Sequence, residues 1–220
     1  TDDIYDIDYE TRSKCDLRKF GAARYAEDES TDILMFAISK NGSEPVLWDI
    51  YDSQRENKRA HLLFSEAVKT NSRIFAHNYQ FEHFISKYNL ERQTGIPCPT
   101  ITNWRCTAAM ARRAAIPFSL EQCAEFLGLT DQKDKTGKLL IQMFSLPKKG
   151  NFVEGNTEDL VTLAGNKVTA SDAWNQFCEY CRQDVRVQIK IREHLQAFDF
   201  DKPNNKIILE GFLFDAKLNE

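Results

Sequence analysis

Alternating polar and apolar positions predict strands at the start of the chain. Residues 5–11 have the sequence Tyr-Asp-Ile-Asp-Tyr-Glu-Thr, in which an acidic side chain occupies every second position. Apolar runs at 33–39 and 45–51 flank Asn41 and Gly42, a pair typical of tight hairpin turns. The chain therefore opens with three predicted strands, of which the last two are antiparallel. The polar residues 11–30 predict a surface loop.

Helical spacing of apolar positions characterises most of the remaining chain. Short apolar runs predict further strands at 73–77 and 100–104. Ser119 and Gln122 form a capping-box pattern at the start of one helix, and Gly128 is placed to end it. The predicted helices cover residues 53–69, 78–88, 106–114, 119–127, about 135–144 and 171–198.

The last predicted helix carries a continuous apolar stripe that would pack against the sheet. Its members are Trp174, Phe177, Cys181, Val185, Ile189 and Leu195. The preceding residues, 147–165, are weakly periodic and predict a mobile loop that allows a short helical turn at 158–163.

The order of these elements predicts an α/β fold with a mixed five-stranded sheet flanked by helices. An antiparallel meander comes first, and parallel crossovers with helices on the sheet faces follow. This order resembles that of ribonuclease-H-like folds, although element order alone does not predict function. The length of 220 residues suits one such domain, or a domain with an extension.

Composition and charge narrow the classes of function. Hydrophobic residues make up 42% of the chain, which is enough for a core, and no run is long and apolar enough to span a bilayer. The acidic N-terminus has no apolar segment, so we expect a cytoplasmic protein without a signal peptide. The net charge of −4 argues against a broad, mainly electrostatic mode of binding to nucleic acid. It does not exclude a nuclease, because bound cations would cancel the charge of an acidic pocket.

Cysteine spacing favours free thiols in a reducing compartment. Only Cys178 and Cys181 form a C-x-x-C pair, and they lie in a helical segment without a second pair at zinc-finger spacing. A zinc or redox module built on this pair is the disfavoured alternative. The six cysteines are Cys15, Cys98, Cys106, Cys123, Cys178 and Cys181.

The acids of the first strand are candidate metal ligands. Successive strand residues point to opposite faces, so Asp6, Asp8 and Glu10 would share one face. Clustered carboxylates repel one another, and a divalent metal bound by oxygen ligands is the usual compensation. The alternative is an edge strand with its acids on a solvated face.

Two further elements carry candidate acids. Glu82 follows the predicted strand at 73–77, at a junction where α/β folds place ligands, although an acid at a helix start more commonly complements the helix dipole. Tyr180 and Asp184 are four residues apart on the last helix, either beside the buried stripe or as a surface pair. If the fold brings the acids together, they suit two-metal phosphodiester hydrolysis with Mg²⁺ or Mn²⁺ rather than zinc.

Three short patterns resemble the exonuclease motifs of the DEDDy 3′–5′ exonucleases. They are Asp8-x-Glu10, Asn78-x-x-Phe81-Glu82 and Tyr180-x-x-x-Asp184. The h-type subclass would have a histidine five residues before the last aspartate. This chain has Glu179 there, so Tyr180 matches the y-type. The second motif usually ends in Asp, whereas this chain has Glu82.

More narrowly, the chain is similar to the proofreading domain of bacteriophage-type family A DNA polymerases. The matching patterns follow in order over nearly the whole chain and begin at Asp8, Gly21, Ala76, Pro117 and Trp174. The run at 207–216 resembles the segment that leads into a polymerase domain. We therefore expect an exonuclease domain at 1–198 and a connecting segment at 199–220, either cut from a larger polymerase or encoded apart from it.

The resemblance implies a 3′–5′ exonuclease that uses two Mg²⁺ or Mn²⁺ ions to hydrolyse DNA from a single-stranded or frayed 3′ end. Asp8 would bridge both ions, and Glu10 and Asp184 would complete the inner site. Glu82 would support the second ion, directly or through water. Tyr180, together with Glu10, would orient the attacking water.

Other residues are candidates for contacts with DNA. Asn78, Phe81 and Thr11 are expected near the 3′-terminal nucleotides, with Asn78 hydrogen-bonded and Phe81 stacked, although Phe81 suits the core better. Five lysines either contact the DNA backbone or form a solvated basic loop: Lys133, Lys135, Lys138, Lys148 and Lys149. The dispersed histidines, His61, His77, His83 and His194, are interpreted as structural or surface residues.

The expected partners are the DNA 3′ end and the polymerase domain of the same parent protein, with the chain monomeric and no membrane involved. Two alternatives remain open from the residues. An exoribonuclease of the same fold is one, because no motif distinguishes a 2′-hydroxyl. A non-catalytic module that only positions DNA is the other.

Overall fold

A mixed five-stranded sheet forms the centre of the fold. The computed structural model describes residues 3–52, 55–129 and 136–201. The sheet has the order β3-β2-β1-β4-β5, with β1 antiparallel to β2 and parallel to β4. This α/β architecture, consistent with ribonuclease-H-like folds, confirms the predicted fold class. The strands are β1 (Ile4–Arg12), β2 (Asp32–Lys40), β3 (Val46–Asp49), β4 (Arg73–Ala76) and β5 (Trp104–Cys106).

Helices cover both faces of the sheet. A π-helical segment, Ser86–Leu90, continues the third helix directly into the fourth, and short 3-10 turns occur at Ile101–Asn103 and Gln196–Phe198. The helices are α1 (Leu17–Glu27), α2 (Arg55–Lys69), α3 (Tyr79–Ile85), α4 (Glu91–Thr94), α5 (Thr107–Arg113), α6 (Leu120–Phe126), α7 (Gly137–Phe144) and α8 (Ala170–His194). Ser119 caps α6 by accepting a hydrogen bond from the Gln122 amide, as its sequence predicts.

Side chains alternate along β1, so successive residues pack into apolar cores on opposite faces of the sheet. Tyr9 packs on one face with Phe36 and Phe64. The opposite face packs against α8, whose predicted apolar stripe is buried as expected. The Sγ of Cys181 lies 3.8 Å from the backbone oxygen of Asp8, so α8 crosses β1 at the level of the strand's acids.

The segment at 11–30 is not a surface loop as its polarity suggests, because it contains α1. The Asp16 side chain caps this helix by accepting hydrogen bonds from the amides of Arg18 and Lys19. Gly21, at φ +79°, interrupts the helical backbone. The helix is held by buried Tyr25 rather than by an apolar stripe, and for that reason periodicity does not reveal it.

The predicted loop at 147–165 is also wrong in its second half. Its end forms a strand, β6 (Leu160–Leu163), which pairs with β7 (Asn166–Thr169) in an antiparallel hairpin rather than a helical turn. Leu163 is buried against the core beside α8, and Val161 and Val168 pack on the same cluster. The hairpin therefore depends on tertiary contacts.

The remaining boundaries differ little from expectation. The strand predicted at 100–104 begins only at Trp104, after the 3-10 turn. Within the described residues, no helix is long and apolar enough to cross a membrane. Lys133, Lys135 and the run at 207–216 lie outside the described residues. The proposed division at residue 198 stays a prediction.

Candidate metal centre

Three carboxylates meet where β1 and α8 cross. Asp8 and Glu10 leave β1 on the face toward α8, and Asp184 leaves α8 between the buried residues Cys181 and Val185. One carboxylate oxygen from each residue lies within 4.8 Å of the other two. Oxygen donors at this spacing fit a divalent cation such as Mg²⁺ or Mn²⁺.

The electrostatics of this cluster are unfavourable without a cation. Burial raises the pKa of Asp8 well above its usual range, and the charge of Asp184 raises it further. Burial also raises the pKa of Glu10, with additional contributions from Asp8 and Asp184. The pKa of Asp184 is raised to about 7 by burial, partly offset by hydrogen bonding from Tyr180. At neutral pH the group would hold protons, unless positive charge replaces them.

Glu82 lies in the first turn of α3 and is almost fully buried, with 3% of its surface exposed. Its Oε2 atom has no hydrogen-bond partner among the described residues. Burial raises the pKa of Glu82 well above its usual range, and the charge of Asp8 raises it again. A buried carboxylate oxygen without a hydrogen-bond partner is unusual, and coordination of a divalent cation would satisfy it.

Tyr180 borders the cluster one turn before Asp184. Burial raises the pKa of Tyr180, and the charges of Asp184, Glu10 and Asp8 add to that rise. Its phenol is therefore neutral and able to donate a hydrogen bond. The ring stacks on Phe177 with 6.2 Å between centroids.

Gly137, the first residue of α7, packs closely against the Tyr180 ring. A Cβ atom added there would lie 2.3 Å from Cε2 and 2.6 Å from Cδ2 of Tyr180. The ring therefore occupies the space that a side chain at this position would need. Gly137 carries no sequence signal for this role, because a glycine at a helix start resembles an ordinary turn residue.

Asp6 does not lie on a solvated face, which is the alternative prediction for the acids of this strand. It is completely buried, and its carboxylate accepts hydrogen bonds from Nε and a terminal nitrogen of Arg192 at 2.9 and 3.0 Å. Gln188 donates a longer bond of 3.4 Å. Asp6 shares the face of Asp8 and Glu10 as predicted, but Arg192 of α8 neutralises it. No spacing rule connects residues 186 positions apart, so the sequence gives no sign of this pair.

The residues expected to hold DNA occupy different environments. Asn78 is exposed at the end of β4, with its backbone in the left-handed region at φ +80°. Phe81 is half-buried with its ring 5.9 Å from that of Tyr25, and the Thr11 hydroxyl is 2.9 Å from the Tyr25 hydroxyl. Lys138, Lys148 and Lys149 are exposed. Asn78 and the lysines are thus open to a ligand, while Phe81 and Thr11 make internal contacts.

The C-x-x-C cysteines are buried on α8, and neither belongs to the group of three carboxylates that could hold a metal. Burial raises the pKa of both thiols, and the charge of Asp49 raises that of Cys178 further. Such thiols remain protonated and act as small packing residues.

Comparison with known proteins bears on this arrangement. The chain is 30% identical over 218 residues to a protein named DNA polymerase from Bacillus phage SP02. The chain is related in sequence to a phage DNA polymerase. The alignment covers 97% of this chain but 30% of the phage protein, so the chain spans about a third of that relative's length. No protein-family model matches the chain.

Proposed function

We propose that this chain is a Mg²⁺- or Mn²⁺-dependent 3′–5′ exonuclease that removes nucleotides from DNA 3′ ends and forms the proofreading part of a family A DNA polymerase. The observation that carries the proposal is the meeting of Asp8, Glu10 and Asp184 within 4.8 Å, with Tyr180 beside them. These residues come from the first and third motifs of the DEDDy pattern. The similarity to a phage DNA polymerase supports the same assignment.

The residues present fit divalent cations. The donor set consists of carboxylate oxygens, which hard cations prefer, and all of these acids are buried or half-buried. Asp8, Glu10 and Asp184 would hold the first ion, and Glu82 would support a second through its unpartnered oxygen. Bound ions would lower the pKa of the attacking water and stabilise negative charge on the phosphate.

The protein side chains would position the reactants. Tyr180, held neutral, would donate to or orient the attacking water, with Glu10 as the neighbouring acceptor. Asn78 would approach the terminal nucleotide from the end of β4. No histidine base is needed in this scheme.

The test is a degradation assay on single-stranded oligonucleotides labelled at one end. With Mg²⁺ or Mn²⁺, a 5′-labelled DNA strand should shorten from its 3′ end in single-nucleotide steps and release 5′-monophosphates. EDTA should abolish the reaction. Matched DNA and RNA strands decide the sugar preference, because preferential degradation of RNA would replace DNA with RNA as the substrate. Absence of metal-dependent degradation of either strand would contradict the proposal.

A further inference from the structure

An exposed aromatic–cation pair lies beyond the carboxyl end of β4, where His77 contacts its backbone. Phe118 has 51% of its surface exposed, and the exposed Arg112 places its guanidinium carbon 4.1 Å from the centre of the Phe118 ring. A large exposed aromatic ring with a cation on its face is a recurrent surface for stacking nucleic-acid bases.

Hydrogen bonds hold the backbone at Phe118 and at the residue after it. The carbonyl oxygen of Phe118 is 2.7 Å from Nε2 of His77, and the other ring nitrogen of His77 is 2.9 Å from the Thr107 hydroxyl. The next residue, Ser119, caps α6 with its side chain. The ring is therefore presented on a preorganised backbone, which lowers the entropy lost when a ligand stacks on it.

The sheet topology places this pair at the same end of the sheet as the carboxylates. β4 runs parallel to β1 with Phe75 opposite Asp6, and it ends at Ala76. His77 therefore follows β4 at the end of the sheet toward which β1 continues through Asp8 and Glu10. The hydrogen-bond contact of His77 with the Phe118 carbonyl places the backbone of Phe118 beside the same end.

We propose that Phe118 and Arg112 form a stacking platform for an unpaired base near the 3′ end of the substrate strand. Stacking on the ring is sequence-tolerant, as removal of any terminal nucleotide requires. Arg112 supplies positive charge beside the strand on a chain whose net charge is −4. This inference rests on the proposed exonuclease function and specifies where the substrate strand is held.

The test compares Phe118 variants in the 220-residue chain. Phe118→Ala should raise KM for a single-stranded oligonucleotide roughly tenfold, since alanine substitution removes one stacked base, with a smaller change in kcat. Phe118→Tyr should keep KM close to the original value, whereas Phe118→Leu should behave like alanine. That contrast separates stacking from mere packing, which leucine would also supply.

Tyr88→Ala is the matched control. Tyr88 is 38% exposed with the Lys87 ammonium 5.7 Å from its ring centre, but it lies ten residues beyond Asn78 along the helical segment that leads away from the site. Its removal should leave KM unchanged. An unchanged KM in Phe118→Ala, or equal effects in Phe118→Ala and Tyr88→Ala, would overturn the inference.

A binding measurement in EDTA separates this inference from the proposed function. Anisotropy of a labelled oligonucleotide should show weaker binding to Phe118→Ala by the same factor as KM. A chain that binds the oligonucleotide through Phe118 but never degrades it would contradict the exonuclease and retain the platform. Equal binding by Phe118→Ala and the unsubstituted chain, or no binding by either, would overturn the platform.

Discussion

Replacing Gly137 with alanine should impair the reaction by moving Tyr180. The added Cβ would lie 2.3 Å from Cε2 of the tyrosine ring. Carbon atoms in ordinary contact are about 3.5 Å apart, so the ring or the start of α7 must move by roughly 1 Å. Because the Tyr180 ring is packed on Phe177, this movement would change the position of the tyrosine hydroxyl relative to Asp184.

The expected magnitude follows from this displacement. A misplacement of about 1 Å at a reacting group reduces rates by up to roughly 100-fold. The overpacking should lower the free energy of unfolding by about 1–3 kcal/mol. Affinity for Mn²⁺ should change little, because the four carboxylates keep their positions. Three measurements test these effects. The single-turnover rate constant for degradation reports the loss of rate, the thermal unfolding midpoint reports the loss of stability, and a Mn²⁺ titration reports the affinity for metal.

Gly155→Ala is a control that creates the same steric clash with another aromatic side chain of α8. Its Cβ would lie 2.3 Å from the Trp174 indole, which is hydrogen-bonded to Asp49 and not to the carboxylate cluster. This variant should lose comparable stability and keep most of its rate. In a Tyr180→Phe background, Gly137→Ala should slow the reaction no further. A full rate in Gly137→Ala, or additive losses in the double variant, would refute the reasoning.

Other predictions concern the stability of the metal centre and of the buried ion pair. Without metal, stability should fall as pH rises from about 4 to 8, because burial raises the pKa of Asp184 to about 7 in the folded state while the unfolded carboxylate ionises near its ordinary pKa of 3.8. Mg²⁺ should consequently raise the unfolding midpoint more at pH 8 than at pH 5.5, and equal increments in a thermal scan would contradict this. Arg192→Met should lower the free energy of unfolding by about 3–5 kcal/mol, because it leaves Asp6 buried and unpaired. Urea denaturation measures that loss, and Asp6→Asn in the same chain should restore part of it; a loss below about 1 kcal/mol would show that the pair is dispensable.

Much of the sheet could be predicted from local pattern. The acids of β1 alternate with apolar residues, and Asn41 with Gly42 marks the hairpin between β2 and β3. Along α8 the apolar stripe specifies which side meets the sheet. In each case the period of the sequence matches the period of the element, so one segment contains the necessary information.

Elements held by tertiary contacts could not be predicted in this way. Residues Leu17–Glu27 have no apolar stripe and contain Gly21, and the helix is held by its Asp16 cap and by buried Tyr25. The β6–β7 hairpin gains its strand conformation from packing beside α8. Their local sequences are compatible with loops, and only the rest of the fold decides otherwise.

The candidate site shows the same division. Residue types and motif spacing single out Asp8, Glu10 and Asp184, and the fold brings them together as expected. Their neighbours could not be inferred. Tyr180 contacts Gly137, and Asp6 pairs with Arg192, although the members of each pair are far apart in the chain. Neither the periodicity nor the composition of the sequence indicates these contacts.

The central claim is that the carboxylate cluster binds metal and carries out degradation of DNA from the 3′ end. Its most direct test is the Asp8→Ala, Glu10→Ala double variant, assayed with saturating Mn²⁺ on a 5′-labelled single strand. We predict no detectable shortening and, in EDTA, an unfolding midpoint no lower than that of the unsubstituted chain, because two repelling buried acids are removed. Glu179→Gln, which changes an exposed acid paired with Arg186 on the same helix, should degrade the strand normally. Metal-dependent degradation by the folded double variant at the original rate would contradict the claim.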